Sequence, residues 1–314
     1  MITLQGHQHW VLSVCPVMVV GRQLLASGGG GGTVRLWHPA IGEQLATFHG
    51  HRGRVLSVCP VKVAGRELVA SGDIGGTVRL WDPADGQQLA TVQAHGGVWC
   101  VCPVMVAGRQ LLASGGEDRT VRLWDPANGE QLATLHGHRG RVLSVCPVMV
   151  AGRQLLASGA DDGTARLWDL ATSEQVATLN TDQGWVVSVC PVTVAGRELL
   201  ASGGSDGTVR LWDPANGVEP ATVQADRDAV WYMCPVTVAG RELLASMAAT
   251  ARCGSGTQPT ENSCPTSATS RAGFSARARS PSKAGSCWRT APLRAPRGSG
   301  TPSTANNSPA FRAT

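Results

Sequence analysis

The sequence predicts an all-β protein, a β-propeller built from four-stranded antiparallel blades. A period of 43 or 44 residues runs through residues 1–246, and each period holds four short runs rich in β-branched and apolar residues. No run shows a helical period over a length typical of a helix. A four-stranded sheet cannot bury both of its faces alone, so the units must pack on one another as blades do.

The period is clearest at tryptophan and at a repeated Cys-Pro pair. The tryptophans that mark it are Trp37, Trp81, Trp124, Trp168 and Trp212. The cysteines, each directly before a proline, are Cys15, Cys59, Cys102, Cys146, Cys190 and Cys234. The corresponding units are 6–49, 50–93, 94–136, 137–180 and 181–224, with a half unit at 225–246.

The unit 50–93 shows the expected elements in order. VLSVCPVKV, RELVASG, TVRLWD and QQLATV are its predicted strands. An Ala-Gly pair, a Gly/Asp cluster and Pro-Ala-Asp-Gly separate them, and all three are turn signals. The other units repeat this order, so one β-meander per unit is predicted.

These units resemble WD40 repeats, which carry Gly-His near the start and Trp-Asp at the end of the third strand. The pairs that carry the resemblance are Gly50-His51, Gly137-His138, Trp81-Asp82, Trp124-Asp125, Trp168-Asp169 and Trp212-Asp213, and it covers residues 2–246. It implies a structural hydrogen-bonded network of His, Ser, Asp and Trp in a blade. The pattern is complete twice, as His95, Ser114, Asp118, Trp124 and as His138, Ser158, Asp162, Trp168.

The other units depart from this pattern. Six residues before the tryptophan, where the acid is expected, stand Gly31 in the first unit and Gly75 in the second. Thr181-Asp182 replaces Gly-His in the fifth unit. We therefore expect incomplete networks in these three blades.

After Ser246 the residue identities of the repeat are lost, but its spacing remains. Ser-Gly-Thr occurs at 255–257 and again at 299–301, the positions where the repeat would place Leu-Trp-Asp. The codons CTC TGG GAC encode Leu-Trp-Asp, and the same bases read one base later encode Ser-Gly-Thr. By the same rule, codons that encode the sequence of residues 120–132 can yield residues 252–264 when they are read one base later. We interpret 247–314 as repeat sequence translated out of frame, which predicts a disordered tail and a sixth blade of two strands with an unpaired edge.

An alternative is a genuine basic tail that binds nucleic acid or an acidic partner, since 247–314 holds nine Lys/Arg and one acid. Such a tail has no reason to keep the period of the repeat. Residues 1–246 hold 18 basic and 21 acidic residues and thus no polybasic face, so nucleic acid is not an expected partner. No signal peptide and no apolar stretch of membrane-spanning length is found, so we expect no membrane and a cytoplasmic location.

Ser, His and Asp within one unit raise the alternative of a hydrolase. The same set recurs at fixed spacing in successive units, which is typical of a structural network and not of one active site. Cys100-Val101-Cys102 lacks the converging ligands of a zinc site, and GGGGG at 28–32 lacks the Lys-Ser/Thr of a phosphate loop. We predict a protein that is not an enzyme and that holds no cofactor or metal.

Variation among the units marks a candidate binding surface. The residues after Gly-His and those around the expected acid differ most, and in WD40 propellers both places lie on one rim around the central channel. Arg and Trp are frequent at interface hot spots. The candidate partner-binding residues are Trp10, Arg52, Arg54, Ile74, Glu117, Arg119, Arg139, Arg141 and Trp185. The alternative is ordinary drift in solvated loops.

These observations predict a non-catalytic scaffold whose partners are other proteins. Near-identical WD40 copies resemble those of bacterial multidomain signalling proteins, which implies covalent linkage to an upstream signalling domain in a longer parent gene. Two alternatives stay open. One is a nonfunctional frameshifted remnant that does not fold stably, and the other is a propeller enzyme or small-ligand binder.

Sequencing the gene across codons 240–260 tests the frame interpretation. We expect one additional base near codon 247, after which the codons spell the rest of the sixth unit and a seventh. Residues 2–4, which read like the end of a unit, would then complete the last blade. If the base is absent, the deletion belongs to the gene. Nucleotides that do not spell the repeat in the shifted frame would contradict the interpretation.

Overall fold

The computed structural model describes residues 4–181, 184–194, 196–225, 228–238, 241–248 and 288–292. These ranges contain 23 strands and no helix. The strands form five four-stranded sheets and one three-stranded sheet, and every strand pair is antiparallel. The predicted all-β fold with five complete blades and a partial sixth is confirmed.

Each blade is a meander of strands that are consecutive in the chain. Blades 1 and 2 comprise β1 (Val11–Val19), β2 (Arg22–Gly29), β3 (Thr33–Trp37), β4 (Gln44–His49), β5 (Val55–Val63), β6 (Arg66–Asp73), β7 (Thr77–Trp81) and β8 (Gln88–Gln93). Blades 3 and 4 comprise β9 (Val98–Val106), β10 (Arg109–Gly116), β11 (Val121–Trp124), β12 (Gln131–Leu135), β13 (Val142–Val150), β14 (Arg153–Ala160), β15 (Thr164–Asp169) and β16 (Glu174–Asn180).

The last two blades follow the same order. They comprise β17 (Val186–Val194), β18 (Arg197–Gly204), β19 (Thr208–Trp212), β20 (Ala221–Gln224), β21 (Val230–Val238), β22 (Arg241–Ala248) and β23 (Trp288–Pro292). The first strands of successive blades contact one another, β1 with β5, β5 with β9 and onward to β21. The first strand is therefore the innermost strand of each blade.

The Ala-Gly turn signal forms the hairpin between the first two strands. In blade 2, Val63 pairs with Arg66, so Ala64 and Gly65 are the whole loop. Both have positive φ, 48° and 80°. Two successive residues of this kind form the hairpin turn whose twist matches that of the flanking strands. The local sequence thus sets the register of β5 on β6.

The hydrophobic core is divided into clusters that lie between successive blades. Between blades 2 and 3, Cys59 and Leu80 from one sheet pack against Val98, Val101 and Trp124 from the next. Four further clusters repeat this arrangement. From blade 2 onward, each periodic tryptophan therefore fills the interface with the preceding blade.

A polar contact accompanies this packing at the inner strands. The Ser13 hydroxyl oxygen accepts a hydrogen bond of 3.0 Å from the Val58 N–H, and Ser57 accepts one of 3.1 Å from the Val101 N–H of the following blade. Ser144 and Ser188 repeat the contact, both at 3.1 Å. These bonds fix the height of one blade relative to the next, because a hydrogen bond tolerates little displacement.

The aspartate of each Trp-Asp pair fastens the turn after the third strand. Asp82 accepts a bond of 2.9 Å from the Ala84 N–H, and Arg66 of the second strand donates to the same carboxylate. The pairs Arg109–Asp125, Arg153–Asp169 and Arg197–Asp213 repeat this. In blade 1 the aspartate is replaced by His38, whose Nδ1 is buried and has no hydrogen-bond partner in the described part of the chain.

The two ends of the array expose faces that are covered elsewhere. Val11 and Val14 are 50% and 45% exposed, whereas their equivalents in blade 2, Val55 and Val58, are 0% and 5% exposed. At the other end, Cys234 is half-buried, while its equivalents in the complete blades are buried. Blade 1 thus presents an interface face that no other described blade covers.

The sixth blade differs from the prediction of two strands. β22 extends to Ala248, beyond the expected end of the repeats at 246, and β23 pairs with it from Leu243↔Pro292 to Met247↔Trp288. An unpaired strand edge offers backbone N–H and C=O groups to any extended segment, whatever its side chains. A segment of the predicted tail can therefore add a strand. The predicted disorder of the rest of 247–314 lies outside the described residues.

Paired valine substitutions test the exposed face of blade 1. Val58→Ala is expected to lower the free energy of unfolding by about 2 kcal/mol, because it leaves a cavity between blades. Val14→Ala, at the equivalent position, is expected to cost less than about 0.5 kcal/mol, because Val14 is already half solvated. Urea unfolding measures both. Equal losses would contradict the exposed face.

Candidate protein-interaction surface

The resemblance implies a polar network, and blade 3 contains it. Trp124 Nε1 donates to Ser114 Oγ at 2.8 Å, Ser114 Oγ lies 2.8 Å from His95 Nε2, and His95 Nδ1 lies 2.8 Å from Asp118 Oδ1. An indole N–H can only donate, so Ser114 Oγ accepts from Trp124 and its own O–H donates to His95 Nε2. The His95 ring then carries its proton on Nδ1, facing the carboxylate.

Blade 4 has the same arrangement. Trp168 Nε1 donates to Ser158 Oγ at 2.7 Å, Ser158 Oγ lies 2.7 Å from His138 Nε2, and His138 Nδ1 lies 3.1 Å from Asp162. The backbone N–H of Arg139 also donates to Asp162, at 2.7 Å. Burial would raise the pKa of Asp162, but hydrogen bonds, foremost that from His138, outweigh it and hold the pKa well below its usual range.

Blade 2 corrects a prediction made from the sequence. Gly75 stands where the acid is expected, yet His51 Nδ1 lies 3.1 Å from Asp73, two residues earlier. Thr77 donates to Asp73 through both its N–H and its hydroxyl, at 2.8 and 2.9 Å. The last residue of β6 and the turn that follows can therefore present a carboxylate to the same point in space. Ser71 Oγ lies 2.6 Å from His51 Nε2 and accepts from Trp81, so the network of blade 2 is complete. Ile74 directly follows the acid of this blade.

Blade 1 has a partial network, and the described residues of blade 5 form part of one. His7 lies 2.7 Å from Ser27, which accepts from Trp37, but Gly31 supplies no carboxylate. In blade 5, Trp212 donates to Ser202 at 2.8 Å, and Asp206 bonds Thr208 and Arg210. Residue 182, at the histidine position, lies outside the described residues.

The geometry of the network does not suit nucleophilic catalysis. Ser71, Ser114 and Ser158 are 0% exposed, and each hydroxyl oxygen already accepts from a tryptophan. A nucleophile must be reachable by its substrate and lie beside an oxyanion site. As placed, these three serines cannot meet a substrate.

The cysteines of the complete blades are buried free thiols. Burial raises the pKa of Cys15, Cys100 and Cys190 to about 12, so these thiols stay protonated near neutral pH. Protonated thiols are poor nucleophiles and poor metal ligands. Cysteine here fills the inter-blade core as a small apolar side chain.

The two variable loops of each blade meet at one end of its sheet. In an antiparallel pair, the start of the first strand and the end of the second lie side by side. One backbone bond joins the loops in every complete blade. These bonds, from N–H to carbonyl, are Gly30 to Trp10, Ile74 to Arg54, Glu117 to Gly97, Asp161 to Arg141 and Ser205 to Trp185, at 2.8–3.1 Å. We call the surface formed by the candidate residues around these bonds the rim.

The rim is mostly solvent-exposed. Trp10 is 61% and Trp185 is 44% exposed. The other exposed candidates are Arg52, Arg54, Glu117, Arg119 and Arg139, and the half-buried ones are Ile74 and Arg141. The rim therefore combines exposed indoles with an excess of guanidinium groups.

One rim arginine is held by residues of three blades. The Arg141 guanidinium carbon lies 5.2 Å from the centre of the Trp99 ring and 5.9 Å from that of Trp185. Arg141 Nε donates to Asp161 at 2.7 Å. We call these four residues the Arg141 cluster. The sequence prediction missed Trp99, although it replaces the Leu of the identical segments at 56 and 143 and could have been found there.

Arg54 occupies the position equivalent to Arg141 but has different neighbours. Leu12 and Gly97 stand where the cluster has its two indoles, and Ile74 stands where it has Asp161. Arg54 is exposed and has no ion pair or ring contact within the described residues. Two identical segments thus present their arginines in opposite ways.

Repeated four-stranded blades packed around their first strands define a propeller-type repeat domain. The chain matches the WD40 family (WD domain, G-beta repeat) over residues 1–38, 42–82, 86–125, 129–169 and 173–213, and it belongs to that family. A search of curated proteins finds no match. In the described residues, no helix is long and apolar enough to cross a membrane.

Asp73→Asn tests the correction in blade 2. Hydrogen bonds from His51 and Thr77 outweigh the effect of burial and lower the pKa of Asp73 to about 2. A lowered carboxylate pKa stabilises the fold above about pH 4, and this contribution is lost as the pH falls toward about 2.

We expect the substitution to cost about 2 kcal/mol at pH 7 and progressively less between about pH 4 and 2. Urea unfolding across this range measures the difference. Asp85→Asn, at an exposed turn of the same blade, is the control and should change stability little. A loss that does not depend on pH would contradict the role of the charge.

Proposed function

We propose that this protein is a non-catalytic scaffold that binds partner proteins through the rim. WD40 repeat domains are in general interaction domains without catalytic activity, and this chain has five of their repeats. The observation that carries the proposal is the meeting of the variable loops. The residues that differ most among near-identical units lie in pairs at one exposed end of the blades.

The composition of the rim supports a protein partner. Exposed Trp and Arg offer large contact area and directed hydrogen bonds, and both are enriched where interfaces concentrate their binding energy. Drift in solvated loops would explain variation but not the exposure of Trp10 and Trp185, since large apolar side chains gain from burial. Such side chains are instead suited to burial by a partner.

A cytoplasmic location is part of the proposal. The seven cysteines described are free, including neighbours on one strand such as Cys100 and Cys102. Disulfides are rare in the reducing cytosol. Free thiols are consistent with that compartment and support it without requiring it.

Site-directed cross-linking tests the role of the rim. A photo-reactive amino acid at Arg52 is expected to trap a partner protein in the host cell, whereas the same group at Leu132 on β12 is not. Leu132 is 44% exposed and lies on the fourth strand, away from the rim, which makes it a matched accessible control.

The trapped protein is then purified and its affinity for the full chain is measured. Arg52→Glu with Arg139→Glu should weaken binding by about tenfold or more, because each substitution removes a guanidinium and inverts the charge that the partner meets. Gln131→Glu, beside the control position, should leave the affinity within about twofold. Cross-links only at Leu132, or no effect of the reversals, would contradict binding through the rim.

A further inference from the structure

The Arg141 guanidinium is fixed in place before any ligand arrives. Trp99 comes from blade 3, Trp185 from blade 5, and Arg141 and Asp161 from blade 4, so the guanidinium is held from three sides. An arginine on a free surface must lose rotamer freedom when it binds. Arg141 has lost part of that freedom already.

The bonding leaves the terminal nitrogens of Arg141 available. Its Nε donates to Asp161, while Nη1 and Nη2 make no hydrogen bond to the described residues, and the side chain is 37% exposed. The two Nη groups form one edge of a rigid planar fork, and this edge matches the two oxygens of a carboxylate.

Trp99 is placed by the guanidinium and not by a polar bond. Its Nε1 is buried and has no hydrogen-bond partner within the described part of the chain. An unsatisfied buried N–H is costly, so the position needs a compensating contact. Arg141 supplies that contact, because a partly buried guanidinium 5.2 Å from the centre of an indole ring is attracted to its face.

Space for a ligand adjoins the cluster. A cavity of about 330 Å³ is lined by Asp161, Asp162, Thr164, Asn180 and Trp185, together with two glycines. The carboxylate of Asp162 already accepts from His138, Arg139 and Thr164. Asn180 and the exposed face of Trp185 are free to contact a peptide that enters this cavity.

We propose that Arg141 binds a carboxylate side chain of an acidic segment in the partner protein, with Trp99 and Trp185 as the walls of the site. The proposal rests on the proposed function. Charge complementarity favours an acidic ligand over a basic one. Asp161 offsets part of the charge of Arg141, and Asp162 also lines the cavity. The five rim arginines at 52, 54, 119, 139 and 141 still outnumber Glu117 and these two aspartates, and the Nη edge of Arg141 makes no hydrogen bond to the described residues.

The internal repeat offers a matched control. Arg54 lies in the same tripeptide, Arg-Gly-Arg, as Arg141 and is exposed, but it lacks both indoles and the aspartate. If binding depends on positive charge alone, the two arginines should contribute equally. If it depends on the cluster, only Arg141 should matter.

The test uses the full chain and a fluorescent peptide of alternating Glu and Gly, with Gln-Gly and Lys-Gly peptides as controls. We expect the Glu peptide to bind and Arg141→Ala to weaken it by about tenfold or more, since a charged hydrogen bond is lost. Arg54→Ala should change the affinity by less than about twofold. Arg141→Lys should be weaker than wild type, because it keeps the charge and loses the fork.

Trp99→Leu tests whether the indole contributes to binding in a chain that still folds. Leucine is the residue that three other units carry at this position, so the fold should tolerate it, and a thermal melt checks this. We expect the Glu peptide to bind at least about threefold more weakly, because the guanidinium regains its freedom. Binding unchanged in this variant would overturn the role of the indoles.

The remaining outcomes also decide. Equal losses in Arg54→Ala and Arg141→Ala, preference for the Lys peptide, or no binding of the Glu peptide would each overturn the proposal. If the cross-linked partner binds through the rim but its affinity does not change in Arg141→Ala, the proposed function stands and the proposed carboxylate site at Arg141 is wrong. If the Glu peptide requires Arg141 but no partner is trapped at the rim, the proposed function fails instead.

Discussion

The packing of one blade against the next is the interaction on which the rest of the structure depends. Each inner sheet face is apolar and too large to leave in water, so a blade is stable only with a neighbour. The tryptophan of the third strand fills this interface, and its indole nitrogen then needs a buried acceptor. The serine of the second strand supplies the acceptor, and the histidine and aspartate complete the chain of hydrogen bonds. The network is therefore a consequence of burying tryptophan between blades.

The same network holds the two variable loops of the rim together. The histidine comes just before one variable loop and the aspartate belongs to the other, so a bond between them ties the two loops at their base. The backbone bond between the loops, such as that from Asp161 to Arg141, joins them again further out. Variable side chains can thus change on a constant frame. This separation explains how units that are nearly identical in their strands can differ at the surface that meets a partner.

Arg54 and Arg141 show how much of a residue's behaviour comes from its neighbours in space. Both belong to the same identical segment, yet one is exposed and the other is stacked between two indoles and bonded to an aspartate. The neighbours come from adjacent units, more than 40 residues away in the chain for Trp99 and Trp185. A substitution in one blade therefore alters the site formed by three.

The sequence by itself determined the strands, the hairpin turns, the period and the all-β blades, because these follow from local preference and from repetition. It also located the variable loops that hold the candidate partner-binding residues. Only the tertiary structure decided that Asp73 takes the place of the missing acid at Gly75, because two nearby positions in a turn can reach the same histidine. It alone brought Trp99 onto Arg141 and β23 onto the open edge of β22. A repeat in the sequence shows that the units are alike. The contacts between units depend on how the sheets pack on one another, which is a property of the folded array.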